Sequence, residues 1–257
     1  MGVLVGKEFR QAWRSFRLPA LMLILLILAI MDPLTARYMG EILARFAQGV
    51  TIVVPPPSSG QAVAQYLGDV MELGLLVVIA ITMGSVASEK ARGVTTFVVT
   101  RPASRGSYVA AKFVVLAGGV VAATAMGTLV AGLYSWTLLG APAWGRVGLA
   151  ALSAALYVWL VFSATFAASM VVGSELAAGG LGLTVMIVIG VAGAILGGTA
   201  AGPYLPSVLV GNVQLFLTGT PGVDLGARLI SPGITTLVLS ALFLLLGYRR
   251  FKRQPLP

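Results

Sequence analysis

Six long apolar stretches dominate the sequence and restrict the chain to folds that cross a lipid bilayer. They lie near residues 18–38, 66–87, 108–139, 147–172, 176–200 and 229–248. A helix needs about 20 mostly apolar residues to cross a hydrocarbon core of about 30 Å, and each stretch can form such a helix. Charged residues make up only 10% of the 257 residues, whereas a soluble domain carries about 25%. We therefore predict a single all-α integral membrane domain over residues 1–257, with six transmembrane helices, and exclude a soluble globular protein.

Two of the stretches contain polar residues. The pair Asp32-Pro33 interrupts the first, which can still cross if the helix continues with a kink to Met39, as membrane helices tolerate. The second begins near Tyr66 and carries Asp69 and Glu72 toward the outer headgroup region. These two acids are three residues apart, so they are predicted to share a helix face and form a possible polar site. The alternative is that they are solvated carboxylates at the membrane rim.

The distribution of basic residues predicts the orientation. With the N-terminus inside and six crossings, 13 of the 17 Lys and Arg residues fall in cytoplasmic segments. An excess of Lys and Arg on the cytoplasmic side is the usual topology signal, so both termini are predicted to be cytoplasmic. The net charge of +9 is then explained by topology, and we expect no nucleic-acid partner. The expected location is the inner (plasma) membrane, as a multi-pass protein.

Residues 4–17 have the pattern of a basic amphipathic helix. At about 100° per residue, four cations fall within an arc of about 80°, and Trp13 lies on the opposite, apolar side. These cations are Lys7, Arg10, Arg14 and Arg17. Such a helix is predicted to lie flat on the inner leaflet, with its cations on anionic lipid, and to turn at Pro19 into the first span. The alternative is a segment that only sets the topology.

Missing residue types exclude several chemistries. The sequence contains no Cys and no His, so it can form no disulfide, no Cys/His metal site and no imidazole-based catalytic site. No nucleophile–base pair is visible, and the nine Met residues are scattered. The nearest approach to a nucleotide-binding loop, residues 2–8, has one residue too few between its glycines and Glu8 where Ser or Thr must reach Mg²⁺. We expect no enzyme activity, no metal and no cofactor in this chain.

Two connecting segments differ from simple loops. The outer segment 201–228 contains an apolar piece that is too short to span, which predicts a re-entrant or interfacial helix. The inner segment 88–107 holds the largest cytoplasmic cluster of charges, with Gly93 suited to a turn and Pro102 to a break. By composition alone, 88–107 is either a solvated positive loop or a structured docking element.

The residues of 88–107 resemble those of the type-2 ABC transporter permeases, the membrane subunits of many bacterial exporters. Their pattern has an acidic residue, a glycine four residues later, then Pro-x-Ser-Arg and a Lys before the next span. The matching residues here are Glu89, Gly93, Pro102, Ser104, Arg105 and Lys112. Two positions depart from the pattern, since Val94 replaces the usual Thr and Thr96 stands where Glu is common.

This resemblance implies a function and partners. It implies a permease subunit that forms the substrate path as a dimer, with a second copy as homodimer or heterodimer. A separate cytosolic ABC ATPase subunit would bind ATP and Mg²⁺ and would contact 88–107. The implied coupling residues are Glu89, Gly93, Thr95, Thr96, Phe97, Pro102, Ser104 and Arg105. The alternative function is an ATPase-independent secondary transporter or a membrane scaffold protein.

Overall fold

The computed structural model describes residues 2–46, 56–91, 105–219 and 225–254, and helices account for most of these ranges. The helices are α1 (Gly2–Arg14), α2 (Arg17–Phe46), α3 (Ser59–Asp69), α4 (Leu75–Ala91), α5 (Arg105–Leu139), α6 (Trp144–Val171), α7 (Glu175–Leu196), α8 (Val208–Thr218) and α9 (Leu225–Arg253). No β-strand occurs within the described ranges.

Six helical segments are long and apolar enough to cross a membrane. They are Arg17–Leu43, Ser59–Ala91, Arg105–Leu139, Trp144–Val171, Glu175–Leu196 and Arg228–Arg253. The prediction of an all-α membrane protein with six spans is therefore confirmed. The first span continues through Asp32-Pro33 as one helix, since proline is tolerated inside a membrane helix. The cytoplasmic position of the termini and the attachment of α1 to the membrane surface stay predictions.

The second span begins seven residues before the expected Tyr66. Its first turn is a capping box: the Ser58 hydroxyl accepts a hydrogen bond from the Gln61 backbone N–H at 3.2 Å, and the Gln61 side-chain oxygen accepts one from the Ser58 N–H at 3.0 Å. These two bonds satisfy donors that a helix start leaves unpaired. A short π-helical turn, Val70–Gly74, joins α3 to α4 without ending the helix.

The break between α1 and α2 lies at Ser15-Phe16, before the expected Pro19. Phe16 has a φ of 59°, in the left-handed region that a non-glycine residue rarely adopts. The Phe16 N–H donates to the Trp13 carbonyl at 3.2 Å, which closes the last turn of α1. Arg17 consequently starts α2, so the prediction that it belongs to the N-terminal amphipathic helix is wrong.

Helix α6 occupies the centre of the bundle, where it packs against α9, α4, α8 and α7, while α2 packs mainly against α5. An aromatic cluster joins α5 to α6, with ring centroids 5.4 to 6.0 Å apart. Its members are Phe113, Trp159, Phe162 and Phe166. Aromatic pairs at these separations add to the energy of area burial, so this cluster helps to hold α5 against α6.

Helix α1 packs on α5 through a small apolar cluster of its own. Ala12, Leu18 and Val115 form this cluster, which is separate from the main core. Leu18 lies against Gly119 of α5, where any β-carbon would collide with the leucine side chain. Glycine at this position lets the start of α2 approach α5 closely, as small residues do between membrane helices.

Helix α8 is the apolar piece of the outer segment. It has 11 residues, too few to cross, and it packs against α3 and α6 with Leu209, Val213 and Phe216 fully or almost fully buried. It ends at Gly219, whose φ of 75° is accessible to glycine without strain. The segment 201–228 is thus held against the bundle by one short helix.

Candidate functional site

A buried lysine joins three helices at the end of the bundle that is predicted to be cytoplasmic. The Lys112 ammonium, on α5, donates to the Glu8 carboxylate of α1 at 2.8 Å and to the Glu89 carboxylate of α4 at 2.7 Å. The three side chains are only 4%, 7% and 10% exposed, respectively. Removing one member of such a buried set leaves an uncompensated charge, which costs about 3–5 kcal/mol.

The Glu89 carboxylate accepts two further hydrogen bonds from its own chain. The Tyr108 hydroxyl donates to one oxygen at 2.6 Å, and the Gln11 side-chain amide donates to the other at 3.2 Å. Bonds to an ionised group are about twice as strong as neutral ones, so this carboxylate holds its neighbours firmly. We call Glu8, Gln11, Glu89, Tyr108 and Lys112 the charged network.

Lys90 turns away from this network and reaches the end of α6. Its ammonium donates to the carbonyls of Met170, Val171 and Val172 at 3.1 to 3.2 Å and to the Gln254 side-chain oxygen at 2.7 Å. The last carbonyls of a helix lack intrahelical donors and carry partial negative charge, which a cation stabilises. Lys90 therefore fastens the end of α4 to the end of α6.

The start of α5 is fastened to the end of α9. The Arg105 guanidinium donates to the backbone carbonyls of Lys252 and Gln254 at 2.9 and 3.2 Å. One turn later, the Tyr108 ring stacks on Phe251, with ring centroids 6.5 Å apart. Helix α4 ends at Ala91 and α5 begins at Arg105, so both helix ends that flank segment 92–104 are anchored.

The predicted coupling residues divide into two groups. Six of them lie outside the described residues, namely Gly93, Thr95, Thr96, Phe97, Pro102 and Ser104. The other two, Glu89 and Arg105, belong to helix ends, and both bond to their own chain. The coupling role of all eight stays a prediction. Glu89 would contribute to it through the charged network, since its carboxylate is turned inward.

Sequence reasoning did not assign Glu8, Gln11 or Tyr108 to this site. A local signal existed for two pairs: Tyr108 and Lys112 are four residues apart, and Glu8 and Gln11 three apart, so each pair shares a helix face. The sequence does not show which helices become neighbours, and so the two pairs could not be joined to Glu89.

Most of the predicted membrane-surface residues are exposed on α1. Lys7, Arg10, Trp13 and Arg14 are exposed, whereas Arg17 is half-buried on α2. The Trp13 ring stacks on Phe9 with centroids 6.0 Å apart, and the two side chains are 48% and 52% exposed. Exposed aromatic and basic residues on one helix are the composition that binds a headgroup region. The membrane-surface role of these residues stays a prediction.

Asp69 and Glu72 have different surroundings. Asp69 lies close enough to Asp32 of α2 to interact with it, while Glu72 lines a groove beside α7. The π-helical turn begins between them at Val70 and changes the rotation of the side chains along the helix. The expectation that they share a helix face assumed regular α-helix geometry, which the chain does not keep here.

Asp32 is buried rather than solvated, with only 4% of the residue exposed. One of its carboxylate oxygens and the hydroxyl of Tyr66 have no hydrogen-bond partner among the described residues. The two groups lie near each other between α2 and α3. An ionisable residue inside a membrane span is costly and commonly functional, so Asp32 is a second polar position of interest.

Comparison with known proteins agrees with the architecture. The sequence matches the family described as "ABC-2 family transporter protein" over residues 3–256, nearly its whole length. It is also similar to the "Uncharacterized transmembrane protein YxlG" of Bacillus subtilis (strain 168), with 26% identity over 255 residues that cover 98% of both chains. Six apolar helices and a full-length family match together show that the chain belongs to the ABC-2 transporter family, as a permease-type, multi-pass membrane component.

Proposed function

We propose that the chain is the permease subunit of an ABC exporter in the plasma membrane. Two copies would line the substrate path, and a separate cytosolic ATPase subunit would bind ATP and Mg²⁺. The observation that carries this proposal beyond the family is the pair of anchored helix ends on either side of segment 92–104. They give that segment a direct mechanical connection to three other helices, α1, α6 and α9.

The connection has two arms. On the α4 side, Glu89 links to α1 through Lys112, and Lys90 links to α6. On the α5 side, Arg105 links to α9. A displacement of 92–104 by a partner would therefore reach both chain ends and the central helix.

The buried charges make the connection through α4 stiff. Separating Lys112 from Glu89 would leave charges without partners in a water-poor region, at a cost of about 3–5 kcal/mol. Helices α1, α4 and α5 therefore move together at this end rather than slide past one another. Such rigid-body movement is how small shifts at one site become domain rearrangements elsewhere.

Purification of the tagged full chain from its native membranes tests the proposal. We expect an ATP-hydrolysing subunit to co-purify with the wild-type chain. Gly93→Val should reduce both co-purification and ATP hydrolysis, because a β-branched side chain restricts the turn expected there. Gly198→Val is the matched control, since Gly198 is exposed on the opposite, outer turn and has open space around it.

Two outcomes would contradict the proposal. One is an intact, folded chain that brings no ATPase with it under any mild extraction. The other is ATP-dependent turnover by the chain after every soluble ATPase has been removed. If the ATPase co-purified equally with the Gly93→Val and Gly198→Val variants, the coupling role of segment 92–104 would be rejected. The permease function would not be contradicted by that result.

An ion-coupled secondary transporter is the second candidate, and the buried Asp32 favours it. Secondary transporters use deep ionisable residues to carry protons or Na⁺. Sealed vesicles without ATP distinguish the two functions. Uptake or release driven by an imposed proton or Na⁺ gradient, and lost in Asp32→Asn, would support the second candidate against the first.

A further inference from the structure

A groove opens on the outer half of the bundle between α6, α7 and α8. Its volume is about 430 Å³, and its floor is the π-helical turn Val70–Gly74. The walls include Tyr157 of α6, Met186 and Gly190 of α7, and Ser207 at the start of α8. This volume lies within the range of small-molecule sites, about 300–1,000 Å³. We call this space the outer groove.

Helix α7 leaves the groove open because it packs loosely. Only Ala178, Gly179 and Gly182, all in its first half, are buried. At its other end, Gly193 approaches Ser207 so closely that a β-carbon there would lie 2.5 Å from the serine hydroxyl. The groove is therefore closed by the α7–α8 contact at one end and open along the side of α7.

Among the described residues that line the outer groove, Glu72 alone is charged. It is exposed, and within the described ranges its carboxylate makes no ion pair. The other polar lining residues, Tyr157 and Ser207, carry no charge, and the remaining lining is apolar or glycine. The groove thus offers one uncompensated negative charge in apolar surroundings.

The position of Glu72 along its span bears on this charge. Glu72 lies 17 residues from Glu89 along the same span, or about 26 Å at 1.5 Å per residue. With Glu89 at the inner boundary, this distance places Glu72 about 4 Å inside the outer boundary of a hydrocarbon core of about 30 Å. A carboxylate at this boundary is stabilised by a counter-charge or by water.

From these observations we propose that the outer groove binds an amphipathic organic cation, with its positive group at Glu72 and its apolar body along Met186 and Val210. This inference rests on the proposed permease function and names the class of molecule transported. Met side chains are flexible and polarisable and adapt to varied apolar shapes.

Tetraphenylphosphonium and tetraphenylborate test the charge requirement, because the two ions have nearly the same shape and opposite charge. Binding to the full chain in lipid nanodiscs is measured against empty nanodiscs of the same lipid. We expect saturable binding of the phosphonium and none of the borate. Glu72→Gln should weaken phosphonium binding at least tenfold, whereas Glu41→Gln, an exposed acid on α2 outside the groove, should leave it unchanged.

A second measurement keeps Glu72 in place. The chain has no cysteine, and Gly190 has open space for a side chain, so Gly190→Cys gives one reactive thiol in the groove. We expect the phosphonium to slow maleimide labelling of this thiol at least fivefold, and the borate to have no effect. A Cys at Gly118, which has open space on α5, should label at the same rate with and without either ion.

Three results would overturn the inference. These are equal phosphonium binding by wild type and Glu72→Gln, equal protection of the Gly190→Cys thiol by both ions, and quantitative disulfide formation between Gly190→Cys copies, which would make the groove a subunit seam. ATPase co-purification is measured on the same samples. A Glu72→Gln chain that retains its ATPase but not phosphonium binding supports both ideas, whereas loss of the ATPase from wild type contradicts only the permease function.

Discussion

Glu89 and Lys90 are adjacent in the sequence, yet they hold different helices. The Glu89 carboxylate accepts from Lys112 of α5 at 2.7 Å, while the Lys90 ammonium donates to the last carbonyls of α6 at 3.1 to 3.2 Å. Consecutive side chains of a helix point about 100° apart, so two neighbours at a helix end can face two different partners. The end of α4 is thereby attached on two sides.

The Lys112→Met substitution tests the charged network. It leaves the Glu8 and Glu89 carboxylates buried without their shared cation, so we expect a loss of about 3–5 kcal/mol in the free energy of unfolding. Thermal or denaturant unfolding of the purified chain in detergent measures the loss. Lys7→Met is the control, because Lys7 is 49% exposed and its 3.5 Å pair with Glu8 should contribute less than about 1 kcal/mol. Equal losses for both variants would contradict the buried position of Lys112.

Tyr108→Phe removes the hydroxyl and keeps the ring. The hydroxyl donates to Glu89 at 2.6 Å, and the ring stacks on Phe251, so the bond to the carboxylate is lost while the ring contact is kept. We expect a destabilisation of about 1.5–3 kcal/mol, the range for bonds to charged groups. Tyr204→Phe, at a residue that is 58% exposed, should change the unfolding midpoint very little. A Tyr108→Phe chain as stable as the Tyr204→Phe chain would show that the hydroxyl contributes nothing.

Two neighbouring glycines give a matched test of helix packing. A β-carbon on Gly119 would collide with Leu18, whereas one on Gly118 meets nothing within 4 Å. Gly119→Ala should therefore destabilise the chain by about 1–3 kcal/mol through overpacking of α2 on α5. Gly118→Ala should be neutral or stabilising by up to about 1 kcal/mol, since alanine favours a helix more than glycine does. The free energies of unfolding of the two variants are measured under the same conditions. If Gly118→Ala were the less stable of the two, the α2–α5 contact would be contradicted.

Single cysteines test the orientation cleanly because the native chain has none. Gly173, between α6 and α7, and Gly198, after α7, are both exposed with open space around them. We expect an impermeant maleimide to label Gly198→Cys in intact cells and to label Gly173→Cys only after permeabilisation. Labelling of Gly173→Cys from outside would reverse the topology.

The sequence was sufficient to predict the spans, because each is a long apolar run that can be recognised without knowing which helices pack against it. It was less informative at helix starts. The second span begins at Ser59 through the Ser58–Gln61 capping box, a pattern present in the sequence but placed among loop residues. The π-helical turn after Asp69 has no comparable signature, and so the separation of Asp69 from Glu72 could not be predicted.

The site was predictable only in part for a different reason. The motif drew attention to Glu89, but the bonding partners of its carboxylate come from two other helices, α1 and α5, which the motif does not identify as neighbours. Periodicity identifies which residues share one helix face. It does not identify the neighbouring helix, which is decided by features such as the close approach of Leu18 to Gly119.

The separate apolar cluster beneath α1 has a consequence for dynamics. Apart from the Glu8 and Gln11 bonds, α1 is held by a few side chains around Ala12, outside the main core. Segments with few buried apolar contacts open at a lower free energy than the rest of a protein. Helix α1 therefore depends on the charged network for its attachment, and in the Lys112→Met chain its amides should exchange hydrogen for deuterium well before those of α6.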